Sequence, residues 1–132
     1  MNRLFLATCL LATSALAGPY DQVYSLLTTD KARSADPNLR PVIVNRVDGE
    51  TVLSNVPAVV APGRHLVTLD LPPRKGFHTA TQVTFDLEVA PCTRYHLAAK
   101  LDSPTTQRWT PVVRSTETIA ECKARFMVAG AR

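Results

Sequence analysis

Three histidines, two late cysteines and a handful of carboxylates are the residues of this chain that could do chemistry. His65, His78 and His96 are separated by 13 and 18 positions, so neither H-x-H nor H-x-x-x-H occurs. A zinc site needs three or four converging ligands, and this spacing supplies no local pair to start one. His65 falls on the apolar side of an alternating run, where a histidine reads as a core residue with one satisfied hydrogen bond. His96 falls on a polar side and His78 in a loop. Asp86 and Glu88 are two apart on the wet face of one run, the usual look of a solvated strand. They and Asp70 lack an announced cleft, which paired catalytic carboxylates require. No serine sits in G-x-S-x-G, and five scattered glycines make no phosphate cradle. The residues therefore point to a non-enzymatic protein without a cofactor or metal. The alternative is a His-based metal-binding protein or small hydrolase using His65, His78 or His96.

Cys92 and Cys122 stand 30 positions apart, and neither belongs to a C-x-x-C motif that would favour redox or metal chemistry. In an exported chain two cysteines allow one pairing, so a structural disulfide is expected. Closing a loop of that size stabilises by roughly 3–4 kcal/mol on the chain-entropy model. The alternative is a redox or metal pair.

Export is expected from the N-terminus. Arg3 precedes the apolar run Leu4 to Leu16, and Ala15-Leu16-Ala17 has the small-x-small form read by a signal peptidase. Cleavage is placed between Ala17 and Gly18. The run is too short to span a bilayer, which takes about 20 apolar residues, and nothing later is longer. Leu6-Ala7-Thr8-Cys9 is a poor lipobox, with Thr8 where a smaller residue is usual and little hydrophobic sequence before it. Removing 17 of 132 residues leaves 115, the size of one domain. Net charge is +4 over the whole chain. The basic residues are dispersed and only Arg74-Lys75 are adjacent, which argues against nucleic acid as a partner.

The elements that must position these residues are mostly strands. Val83, Phe85, Leu87 and Val89 alternate with polar residues, as do Tyr95, Leu97, Ala99 and Leu101. The segment between them, residues 90–94, is short and reads as a hairpin turn. Pro41 to Val47 is a β-branched run followed by Asp48-Gly49, a hairpin signal, with Thr51 to Leu53 returning. Val56 to Ala61 contains Pro57 and reads as an edge strand. Pro62-Gly63 has the order of a type II turn and leads into the strand Arg64 to Leu71. Arg108 to Arg114 is a further strand with Pro111 inside it. Tyr20 to Leu27 has i, i+3, i+4, i+7 spacing and suggests a short helical turn. Thr118 and Glu121 have capping-box spacing, so the stretch 115–122 reads as a helical turn or another strand.

The organisation expected is a signal peptide over 1–17, an N-terminal segment with a short helix over 18–40, a β-sandwich domain over 41–128 and a frayed end over 129–132. The fold class is all-β, an Ig-like or prealbumin-like antiparallel sandwich of six to eight strands with one disulfide. The interaction surface is expected around Arg74, Lys75, Phe77 and Trp109, on loops or beside an edge strand.

Two runs carry a resemblance. Val47-Asp48-Gly49 with Ala61-Pro62-Gly63-Arg64-His65-Leu66-Val67-Thr68-Leu69 resembles the skeleton of PEGA-like β-sandwich modules of bacterial envelope proteins. Residues 89–100 with Trp109 to Val113 and Glu117 to Cys122 look like small secreted proteins of Gram-negative bacteria, with their P-C-T-R-Y element and late cysteine. The resemblance implies a secreted, periplasmic module without catalytic residues, which binds an envelope protein or cell-wall component or serves as a structural accessory piece of the cell envelope. It also favours the Cys92–Cys122 bond and the sandwich.

Overall fold

The computed structural model describes residues 18–29, 35–53, 56–72, 81–103, 105 and 108–127. Nine strands and one helix follow in order: β1 (Ser25–Thr29), β2 (Leu39–Pro41), β3 (Ile43–Val47), β4 (Glu50–Thr51), β5 (Ala58–Val60), β6 (Gly63–Leu71), β7 (Thr81–Val89), β8 (Thr93–Leu101), β9 (Trp109–Thr118) and α1 (Ala120–Phe126). They form two sheets. One runs β4-β3-β6-β7; the other holds β5, β1, β2, β8 and β9. In the second sheet β9 pairs along the whole of β8, from Thr93↔Thr118 to Leu101↔Trp109. The other edge of β8 is shared, with β1 parallel along residues 94–97 and β2 antiparallel along 98–100. The fold is an all-β sandwich, antiparallel except for that β1–β8 pair.

Period-two alternation builds the core. Val67, Leu69 and Leu71 of β6, Leu87 and Val89 of β7, and Leu97, Ala99 and Leu101 of β8 are buried and meet between the sheets. A second cluster lies apart from the first: Tyr24, Leu26, Cys92, Ile119 and Cys122, with Phe126 against it. Leu26 belongs to this cluster and Leu27 to the first, so β1 is buried on both faces. Of the residues with helical spacing, Tyr20, Val23 and Tyr24 precede the strand and only Leu27 lies in it. The structure makes residues 25–29 a strand of the sandwich, overlapping the end of the helical turn expected over residues 20–27.

The connection between β7 and β8 corrects a second expectation. The two strands are not a hairpin: β7 pairs with β6 in one sheet and β8 with β1, β2 and β9 in the other. Ala90-Pro91-Cys92 is an arch that carries the chain between layers. The alternating residues of both strands face each other across the core instead of lying side by side. Cys92 takes φ +51°, a left-handed conformation uncommon outside glycine. Its N–H donates to the Tyr24 carbonyl at 3.0 Å and its carbonyl accepts the Ile119 N–H at 2.9 Å. The wholly buried Ser25 hydroxyl donates to the Ala90 carbonyl at 2.5 Å and accepts the Thr93 N–H at 3.0 Å. Such an over-determined setting holds a backbone conformation that local sequence disfavours.

Pro62-Gly63 likewise joins β5 in one sheet to β6 in the other. Gly63 has φ +123°, beyond the type II value of about +80°. Asp48-Gly49 is the hairpin turn read from sequence: both residues have positive φ, +52° and +83°, and Val47 pairs with Glu50.

Cys92 and Cys122 form the disulfide, with Cα atoms 5.3 Å apart and both side chains fully buried. The bond fastens the β7–β8 arch to α1. The helix starts at Ile119 with no side-chain cap, so the Thr118/Glu121 spacing does not form a capping box. Tertiary ties hold α1 in place instead. Arg125 donates to the Tyr20 carbonyl at 2.8 Å, and Phe126 meets the Tyr24 ring edge-on.

Candidate functional site

The sequence-predicted residues separate into different regions. Arg74, Lys75, Phe77 and His78 lie outside the described residues, as do Ala17 and residues 1–16, where a leader is expected from sequence. Gly18 is described; its N–H donates to Asp21 at 2.7 Å. Asp70, Asp86 and Glu88 lie on the outward face of the β6–β7 ladder and do not converge: Asp70 pairs with Gln82, Asp86 with Leu66 and Glu88 with Arg64 in register. The Asn45 amide donates to Asp70 at 2.5 Å.

His65 and His96 each have a carboxylate, on different sheets. His96 projects from β8. Its Nδ1 lies 3.1 Å from the Thr28 hydroxyl and its Nε2 3.0 Å from Glu117 Oε1, which also accepts from Arg94 at 3.0 Å. The bonds from His96 and then Arg94 hold the Glu117 carboxyl below its ordinary value against a small opposing effect of burial. Hydroxyl, imidazole and carboxylate in line have the outline of a hydrolytic relay. The Thr28 hydroxyl, however, donates to the Tyr95 carbonyl at 3.2 Å. The Tyr95 carbonyl and the His96 Nδ1 therefore compete for the one hydroxyl proton. Arg94 and Glu117 are opposite one another on β8 and β9, and the group reads as a cross-strand polar ladder.

His65 lies on the inward side of β6, as the alternation predicts, at the border of the sandwich. Its side chain is 14 % exposed. Nδ1 is 2.5 Å from Asp48 Oδ2 and Nε2 is 2.6 Å from the Ala61 carbonyl. The other oxygen of Asp48 accepts the Leu66 N–H at 2.9 Å. Burial pushes the His65 pKa down, but the Asp48 bond, the Ala61 carbonyl and the charges of Asp48 and Glu88 outweigh it and leave the value raised. The same bond, then the Leu66 N–H, lowers Asp48. His65 borders a cleft of about 490 Å³ between residues 47–53 and 56–61. No group of three or more His, Cys, Asp or Glu converges for a metal among the described residues.

The last feature is a side of the sandwich. β7 pairs only with β6 and β9 only with β8 among the described residues, so each presents an open edge. The two edges approach at one end, where Trp109 at the start of β9 donates its indole N–H to Thr81 at the start of β7, at 2.8 Å. Trp109 is half-buried and packs against the main core. It closes the seam between sheets at one end, and its polar atom is already engaged. β9 has ten residues, about 34 Å of edge at strand rise. Val113 on this strand is 38 % exposed. Sequence reasoning located the strand from Pro111 and the flanking valines. It could not show that the edge runs on to Thr118, because residues 114–118 are all polar and carry no alternation.

Compared with family models, with curated proteins and with solved structures, the chain matches none. No helix among the described residues is long and apolar enough to cross a membrane.

Proposed function

We propose that this protein is an exported, periplasmic, non-enzymatic interaction module that binds an extended segment of an envelope protein along the β9 edge. The observation that carries this reading is the ten-residue β9, with one side unpaired among the described residues. An open strand edge offers a row of backbone donors and acceptors that a partner strand can complete. The Cys92–Cys122 disulfide supports export, since such bonds persist in oxidising compartments. The resemblance of residues 47–49 and 61–69 to PEGA-like envelope modules, and of the segments between 89 and 122 to small secreted proteins of Gram-negative bacteria, points the same way; a cell-wall component is the other ligand it suggests.

Pro111 provides the test. Proline is tolerated in an edge strand with its nitrogen facing away from the ladder. By alternation the Val113 N–H then faces outward and the Val112 N–H faces β8. Val113→Pro is expected to abolish capture of the partner from envelope extract while leaving thermal stability near that of the parent. Val112→Pro is expected to destabilise the fold. Capture undiminished by Val113→Pro would remove the β9 edge from the reading. Fractionation with intact-mass measurement tests export: the mature chain is expected to begin at Gly18.

A small hydrolase is the second reading, favoured only by the Thr28–His96–Glu117 alignment. It predicts ester hydrolysis that His96→Ala abolishes; our reading predicts no difference between the two proteins.

A further inference from the structure

We infer that His65 is a proton-operated clasp across the cleft between residues 47–53 and 56–61, closed while its ring is an imidazolium and released when the ring is neutral. Both ring nitrogens face acceptors: the Asp48 carboxylate at 2.5 Å and the Ala61 carbonyl at 2.6 Å. A neutral imidazole has one N–H and one lone pair, so it can satisfy only one of them. The other contact then sets lone pair against lone pair at hydrogen-bonding distance. Only the doubly protonated ring makes both bonds.

The two acceptors belong to opposite walls. Asp48 sits in the β3–β4 turn and is anchored to β6 by its bond to the Leu66 N–H and by its own N–H to the Leu66 carbonyl at 2.8 Å. Ala61 is in the connection from β5, in the other sheet. The imidazolium therefore ties the β3–β4 turn to the β5–β6 connection at the cleft. Asp48 faces the ring from the β3–β4 turn, and Glu88 acts on it from β7. Glu50 lines the same cleft from β4. Arg64 neighbours His65 on β6 itself and is opposite Glu88 in register. The carboxylates favour the charged ring, in line with the raised His65 pKa.

The sign follows from linkage. A histidine raised in the folded state contributes stability that is complete below its unfolded value, 6.5, and is lost as pH rises through the folded value. Asp48 acts in the opposite direction, and its contribution is lost as pH falls through its depressed value. The clasp is closed between the two.

Proton and amide NMR of the full mature chain from about pH 5 to about pH 9 tests this. The His65 ring signal, assigned by its loss in His65→Gln, is expected to titrate with a midpoint above 6.5. Amide signals of Val52 and Val59, on the two walls, are expected to move with the same midpoint and to be flat in His65→Gln. Asp48→Asn keeps an acceptor for Leu66 and a residue type that tolerates positive φ. Its new amide donates to the unprotonated Nδ1, so the midpoint is expected to fall below 6.5 and the wall signals to follow that lowered midpoint, the clasp now closing on the neutral ring. A wild-type midpoint at or below 6.5, or wall amides indifferent to it, would overturn the clasp. The wild-type titration decides the matter even if a variant fails to fold.

Discussion

The phenol oxygen of Tyr95 accepts the backbone N–H of Ala90 at 2.8 Å. The bond spans the point where the chain leaves one sheet for the other, five residues apart in sequence and on opposite sides of the core. Tyr95 is 8 % exposed, so its ring belongs to the core while its oxygen serves the arch. Removing the oxygen alone, in Tyr95→Phe, leaves a part-buried N–H without a partner. We expect a loss of about 1–3 kcal/mol, read in urea as a lower midpoint with an unchanged slope.

The Cys92–Cys122 bond ties this arch to α1 across 30 positions. For a chain beginning at Gly18, which lacks Cys9, intact mass after alkylation without reductant is expected to be unchanged, and after reduction to gain two adducts. The double substitution Cys92→Ala with Cys122→Ala is expected to cost roughly 3–4 kcal/mol. Weakened contacts of Tyr24, Leu26 and Ile119 should appear as earlier hydrogen exchange at the Cys92 and Ile119 amides, which bond to this region.

Glu117 offers a test on the acid side. Its carboxyl is held low by His96 and then Arg94. A carboxyl lowered in the folded state contributes stability that is present above its unfolded value, 4.5, and is lost as pH falls through the folded value. Glu117→Gln is therefore expected to be less stable than the parent at neutral pH and equal to it in strong acid. The group is exposed, so the difference should shrink as salt is raised. Thermal melts at several pH values and two salt concentrations measure both trends.

Trp109 is the only tryptophan, and its indole N–H is bonded to Thr81 at 2.8 Å. Thr81→Val keeps the shape and removes the acceptor. A loss of about 1 kcal/mol is expected, together with a change in tryptophan emission, because the seam between β7 and β9 is stapled by this bond. Unchanged emission and stability would show that the N–H is satisfied elsewhere.

The sequence by itself determined which residues face inward along the long strands, the Asp48-Gly49 hairpin and the cysteine pairing. Alternation at a period of two names the dry face of a strand because side chains project to opposite sides at each step. It does not name the strand's neighbour. Only the tertiary structure decided that β7 and β8 face each other across the core and that β1 runs parallel to β8. Those choices rest on contacts distant in sequence: Ser25 and Tyr24 with the arch, and Cys122 with Cys92. The same division applies to chemistry. His65 could be read as inward-facing, and Ala61 lies only four positions before it, but the fold alone brings Asp48, 17 positions away, to the ring.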